Sequence, residues 1–123
     1  MKKETKNEPP RSLKGMRDLI GENLYAYQGF FEKASEIAIY YGFTPIETPI
    51  LEPEDLFTAS IGQNTDIVTK EMYQLKTKGG ERIALRPEGT ASAIRAYLEN
   101  GLQSWPQPVM LYYFGPYFRH DNP

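Results

Sequence analysis

The sequence predicts an α+β fold with a mainly antiparallel sheet and flanking helices. Three observations carry this. Apolar residues recur at helical spacing from Leu24 to Tyr41, short β-branched and aromatic runs are punctuated by glycine and proline, and the order is helix, strand, hairpin, helix, strand. With 123 residues and 40% hydrophobic side chains, the chain is the size of one domain or a piece of a larger one. A chain of this length hides roughly two-thirds of its surface on folding, so a core is possible without covalent staples.

Residues 1–12, beginning MKKETKNEPP, are polar, mixed in charge and rich in proline, and read as a disordered tail. Leu24, Tyr27, Phe31, Ala34, Ala38 and Tyr41 then form one stripe of a helix, stopped by Gly42. Gly29 lies inside that helix and weakens it by up to ~1 kcal/mol relative to alanine. Phe43 to Pro53 (FTPIETPILEP) has strand composition, with Pro45, Pro49 and Pro53 at the same parity. If extended throughout, it lacks donors along one edge and pairs only on the other, at a sheet margin or subunit boundary. A proline-stiffened loop is nearly as good a reading. Glu54 to Ile61, before Gly62, suits a short helix with acids in its first turn. Glu71–Leu75 and Arg82–Leu85 read as a hairpin turning at Gly79-Gly80. After Arg86-Pro87, Thr90 is the expected cap of a helix closed by Asn100-Gly101. Val109–Phe114 (VMLYYF) is apolar throughout, as for a strand covered on both faces. Gly115-Pro116 interrupts it, and YFRHD is expected to resume the strand.

Composition removes several kinds of chemistry. There is no cysteine and one histidine, His120, which excludes disulfides, thiolate metal sites and multi-histidine centres within this sequence. No metal-binding residues are predicted. The net charge of −2 means that any nucleic-acid contact is local rather than a bulk attraction. No run approaches the ~18 apolar residues of a membrane span, and the start lacks a secretory or organellar signature, so a cytoplasmic protein with no membrane partner is expected. GxxxxGK[ST], GxGxxG and GxSxG are all absent.

Two polar clusters stand in apolar surroundings. Arg86-Pro87-Glu88-Gly89-Thr90 places a carboxylate and a hydroxyl around a glycine that admits a ligand to the backbone, a combination suited to an ammonium group. Helix capping by Glu88 and Thr90 explains the same residues without a ligand. Arg119-His120-Asp121 offers a guanidinium fork suited to phosphate, or else an Arg119–Asp121 surface pair of little energetic weight. Strand alternation sets Phe118 and His120 opposite Arg119 and Asp121.

The segments Lys14–Asp18 (KGMRD), Tyr41–Phe57 (YGFTPIETPILEPEDLF), Ala84–Ala91 (ALRPEGTA) and Phe114–Pro123 (FGPYFRHDNP) occur in this order. Together they resemble the N-terminal part of the histidyl-tRNA synthetases, class II aminoacyl-tRNA synthetases. The resemblance implies a partial class II catalytic domain over 13–123, from motif 1 through the start of motif 2, and hence incomplete. Motif 1, which forms the homodimer interface, maps onto Tyr25–Tyr41 and onto Thr48 and Pro49. Motif 2 maps onto Phe118-Arg119-His120-Asp121, with Asp121 where glutamate is common, and Glu88, Gly89 and Thr90 match the histidine-binding segment.

The implied reaction is attack of the histidine carboxylate on the α-phosphorus of ATP, then transfer of the histidyl group to a terminal ribose hydroxyl of tRNA. By resemblance Arg119 is the catalytic residue on the α-phosphate, Arg119 and Asp121 bind ATP, and Glu88 and Thr90 hold the substrate ammonium. Mg2+ is expected with ATP. Most tRNA contacts, the returning strand, motif 3 and the imidazole-reading residues are expected beyond this stretch, so the stretch alone is expected to be inactive. The competing expectations are a non-catalytic paralogue, similar to the regulatory subunit of ATP phosphoribosyltransferase, and a bare dimerisation module.

Overall fold

The computed structural model describes residues 7–61 and 71–120. The chain divides into two compact units, one ending at Lys33 and the other starting at Ala34. In the first, Ser12 Oγ donates to the Met16 carbonyl at 3.0 Å and Met16 N–H to the Leu13 carbonyl at 3.0 Å, which closes a turn around the KGMRD segment. Helix α1 spans Glu22–Tyr40, as the apolar spacing predicts. Its end has the two backbone bonds of a Schellman motif, Phe43 N–H to Ala38 and Gly42 N–H to Ile39, both 3.0 Å. Gly42 takes the left-handed conformation (φ 88°) that this stop requires. No side chain of α1 is buried. Leu24, Phe31 and Ala38 of the expected stripe are half-covered, whereas Tyr27, Ala34 and Tyr41 are exposed.

The second unit holds an antiparallel sheet of three strands and a separate parallel pair, so the fold is α+β and its sheet mainly antiparallel. The stretch from Phe43 to Pro53 is not one strand. It is two, β1 (Thr44–Pro45) and β2 (Leu51–Pro53), which join different sheets. The proline parity survives this division. Thr44 and Ile46 donate to the Met110 and Tyr112 carbonyls at 2.8 and 3.0 Å, so Pro45 between them faces away from its partner. Arg86 N–H donates to the Ile50 carbonyl at 2.9 Å, which turns the even-numbered residues of β2 toward the sheet and Pro53 toward the open edge.

Helix α2 (Glu54–Ile61) follows directly, with Glu54 and Asp55 in its first turn. Gly62, the expected stop, lies outside the described residues. Strands β3 (Gln74–Lys76) and β4 (Arg82–Leu85) form the hairpin, the first strand starting three residues later and ending one residue later than the sequence suggested. Thr77 secures the turn, its hydroxyl accepting from Glu81 N–H at 3.1 Å. The sheet order β2-β4-β3 places β4 at the centre. Helix α3 (Thr90–Glu99) packs near α2, and Phe57, Met72, Ala84 and Ala91 form the core with Leu56 against it. Glu52, 3% exposed, locks β2 to α3 through a two-pronged pair with Arg95 at 2.7 and 2.8 Å. That hydrogen-bonded pairing raises the pKa of Arg95, against the opposing effect of burial. Buried Ser92 is the exception to this satisfaction of polar groups: its hydroxyl has no partner among the described residues.

Two strand expectations fail near the end. Only Leu111–Tyr112 of the apolar run forms a strand (β5), paired in parallel with β1. It is half-covered rather than buried on both faces, and Tyr113 and Phe114 are exposed, because β1 is its one sheet neighbour among the described residues. After Gly115-Pro116 no strand resumes through His120. The segment is tied down by single bonds instead, Phe118 N–H to the Arg86 carbonyl at 3.0 Å and His120 N–H to that of Glu71 at 2.7 Å. Among the described residues no helix is long and apolar enough to cross a membrane.

Candidate functional site

The two polar clusters meet where β4 runs into α3. Arg119 donates from Nε to the Pro87 carbonyl at 3.0 Å across 32 residues of sequence. Pro87, Glu88, Gly89, Tyr113, Tyr117 and Arg119 line one cleft of about 440 Å³. The terminal nitrogens of Arg119 have no partner among the described residues, so the guanidinium presents its fork outward while its Nε is anchored. Arg119 reaches Pro87, whereas the His120 ring packs edge-on to Tyr73 with centroids 5.9 Å apart, in a segment that does not form the expected strand. Asp121 lies outside the described residues.

Glu88 does the capping expected of Thr90. Gly89 occupies the cap position, and the Glu88 carboxylate accepts from Thr90 N–H at 2.6 Å and Ala91 N–H at 3.1 Å. A carboxylate in front of a helix start satisfies free N–H groups and complements the dipole. Thr90 is instead the first helical residue, its hydroxyl 3.5 Å from that of Tyr113. A carboxylate offers about four acceptor positions. Two of them hold backbone N–H groups, which leaves Glu88 able to receive a cation as well as to cap.

Gly89 is demanded by close approach. A Cβ there would overlap the Tyr113 ring and stand 2.6 Å from the Tyr117 hydroxyl. Both tyrosines therefore lie directly over the glycine, and any larger residue would push them out of the cleft.

Arg86 holds this arrangement together, and sequence reasoning gave it no role of its own. Only 5% exposed, it donates from Nε to the Pro116 carbonyl at 3.0 Å and from Nη1 to the Thr48 carbonyl and hydroxyl at 3.0 and 3.1 Å. Its guanidinium lies 5.0 Å from the Tyr117 ring centre. Gly115 leaves room for it, since a Cβ there would be 2.6 Å from Nη2. Thr48 is thus half-covered and turned inward onto Arg86, while Pro49 is exposed. The only sequence signal was a bulky cation next to Pro87 within an apolar run.

Larger hollows lie elsewhere, one of about 640 Å³ along β2 and the start of α2 and one of about 500 Å³ between α2 and α3. The first contains Glu52, already committed to Arg95, and the second is largely apolar. The first is also lined by Arg82, Glu54, Asp55 and Glu81, but neither hollow involves Glu88 and Arg119, which the smaller cleft brings together. Among the described residues no group of three His, Asp or Glu side chains is arranged to hold a metal ion.

An acidic helix cap and an anchored arginine thus line one cleft, which can receive a ligand carrying both charges. The family model described as histidyl-tRNA synthetase matches residues 15–123, and the chain belongs to that family. It is 48% identical over 111 residues to the histidine–tRNA ligase of Thermodesulfovibrio yellowstonii, covering 90% of this chain and 26% of that protein. It is 49% identical over 110 residues to that of Desulfitobacterium hafniense, covering 89% and 26%. The apo histidyl-tRNA synthetase of S. aureus superposes with a TM-score of 0.77 at 36% identity, over 90% of this chain and 30% of that one. A Bacillus halodurans structure described as an ATP phosphoribosyltransferase regulatory subunit/histidyl-tRNA synthetase gives 0.72 at 26% identity, over 91% and 29%. The chain spans about a quarter of the length of the curated relatives it matches.

Proposed function

We propose that this chain supplies the first part of the active site of an enzyme that joins histidine to its tRNA through a histidyl-adenylate. The observation that carries the reading is the meeting of Glu88 and Arg119 on one cleft, from segments far apart in sequence. Glu88, with Gly89 and Thr90 beside it, receives the α-ammonium group of histidine in its remaining acceptor positions. Arg119 binds the α-phosphate of ATP. Its charge offsets the charge on the phosphoryl oxygens as the histidine carboxylate attacks, and its anchored Nε means that little reorganisation accompanies the step. Holding ammonium and phosphate at fixed ends aims the carboxylate at phosphorus. Asp121 completes the ATP contacts. Mg2+ enters as part of the ATP substrate, on its phosphates.

The partners of the complete enzyme are histidine, ATP, tRNA and a second copy of the chain. The exposed Tyr25, Phe30, Ile37 and Tyr40 of α1 supply apolar surface that a homodimer covers, and Thr48 and Pro49 are read separately as interface residues through the family resemblance. The paralogue reading draws on the Bacillus halodurans match, which shares the fold. The pairing of Glu88 with an available Arg119 favours the ligase.

ATP–pyrophosphate exchange in the polypeptide as the organism makes it tests the proposal. Arg119→Ala is expected to abolish exchange, and Glu88→Ala to raise the histidine requirement far more than that for ATP. Exchange near the original rate without Arg119, or equal effects of Glu88→Ala on both substrates, refutes the assignments.

A further inference from the structure

Tyr117 shares the cleft with Glu88 and Arg119, and nothing in the fold uses its hydroxyl. That group makes no hydrogen bond among the described residues. It is nonetheless firmly placed. The ring lies against the Arg86 guanidinium at 5.0 Å, and Arg86 is itself pinned by bonds to Thr48 and Pro116. The hydroxyl stands over Gly89, 2.6 Å from where a Cβ would be, so it projects into the space that the glycine leaves open.

The cleft thus has one carboxylate and, opposed to it in charge or polarity, an arginine fork and a phenol. A ligand held by its ammonium at Glu88 carries its own carboxylate within the same small space. Arg119 is assigned to phosphate. We propose that Tyr117 donates a hydrogen bond from its hydroxyl to the carboxylate of the bound amino acid, and so selects ligands that carry that group. This rests on the histidine-binding reading above and adds a residue to it.

The protonation state agrees. Burial raises the pKa of Tyr117 above its ordinary value of 10.0; Arg86 opposes this, while Tyr113 and Glu88 add to it. The phenol therefore stays a donor at neutral pH.

The test is equilibrium binding to the intact natural polypeptide of two ligands, histidine and histidinol, whose alcohol replaces the carboxylate. Tyr117→Phe keeps the ring on Arg86 and removes only the donor. A hydrogen bond to a charged acceptor predicts that the histidine dissociation constant rises about tenfold, with histidinol changed less than about twofold. An equal rise for both ligands, or no rise for either, overturns the role of Tyr117. If the variant does not fold, the Tyr117 ring resonances of the unsubstituted protein give the answer. They are expected to shift with histidine and not with histidinol, and identical shifts refute the proposal. Failure of the underlying reading is separate: histidine then does not bind the unsubstituted protein, or binds unchanged after Glu88→Ala.

Discussion

Replacing Arg86 by lysine keeps the charge and removes the fork. Arg86 reaches two segments at once, Pro116 on one side and Thr48 on the other, through three hydrogen bonds. A lysine ammonium reaches one side and abandons the other, leaving at least one carbonyl without its charged donor, at a cost of about 1.5–3 kcal/mol. Weaker contact with the Tyr117 ring adds roughly 0.5–1 kcal/mol. The sum is about 2–4 kcal/mol, felt locally because Arg86 also receives the Phe118 N–H at its own carbonyl. Hydrogen exchange reads such a local loss, since every 1.4 kcal/mol is about tenfold in the opening equilibrium. Amides in a peptide covering 114–120 are therefore expected to exchange about 30- to 1,000-fold faster in Arg86→Lys, while those of α3 change little. Unchanged exchange across 114–120 in a folded variant would show that Arg86 does not hold this segment.

Other consequences are more local. Gly89→Ala is expected to drive Tyr113 and Tyr117 from the cleft, weakening histidine binding at least tenfold in a titration while the protein stays folded; unaltered affinity would contradict the close approach. The raised pKa of Tyr117 means that its favourable contribution is complete below pH ~10 and is lost as pH rises through the higher folded value. Phenolate absorbance should accordingly include a late-titrating component from Tyr117, and Tyr117→Phe should remove it. Ser92→Ala removes a buried hydroxyl that has no partner among the described residues, so denaturant unfolding is expected to show unchanged or slightly increased stability, and a loss above about 1 kcal/mol would reveal a hidden bond.

The helices and the hairpin were legible because their causes are local: apolar period, acids in a first turn, and glycines at Gly42 and Gly79-Gly80. From residue types the candidate site was legible only as two clusters, Glu88–Thr90 and Arg119; the family resemblance joined them, and the contact of Arg119 with Pro87 came from the fold. What stayed hidden is non-local. Nothing near Glu52 announces Arg95, 43 residues later, and Arg86 finds its partners 38 residues before it and 30 after. The parallel pairing of β1 with β5 is equally long-range, and it covers only Leu111–Tyr112 of a run whose composition alone implied a full buried strand. Thr90 was the natural cap by residue type. Glu88 displaced it because two carboxylate oxygens reach two N–H groups where one hydroxyl reaches one.

The outward-facing Pro45 and Pro53 bear on how safely the chain is made. A nascent polypeptide with aromatic runs such as Val109–Phe114 is a template for stacking into fibrils, and fibril growth needs an unbroken ladder of donors on a free margin. Here β1 and β2 each turn a donorless residue to that margin. A stray copy arriving there meets a gap in the ladder, and amyloid-like addition along these margins is blocked by the covalent structure of the backbone itself, whatever the side chains around it.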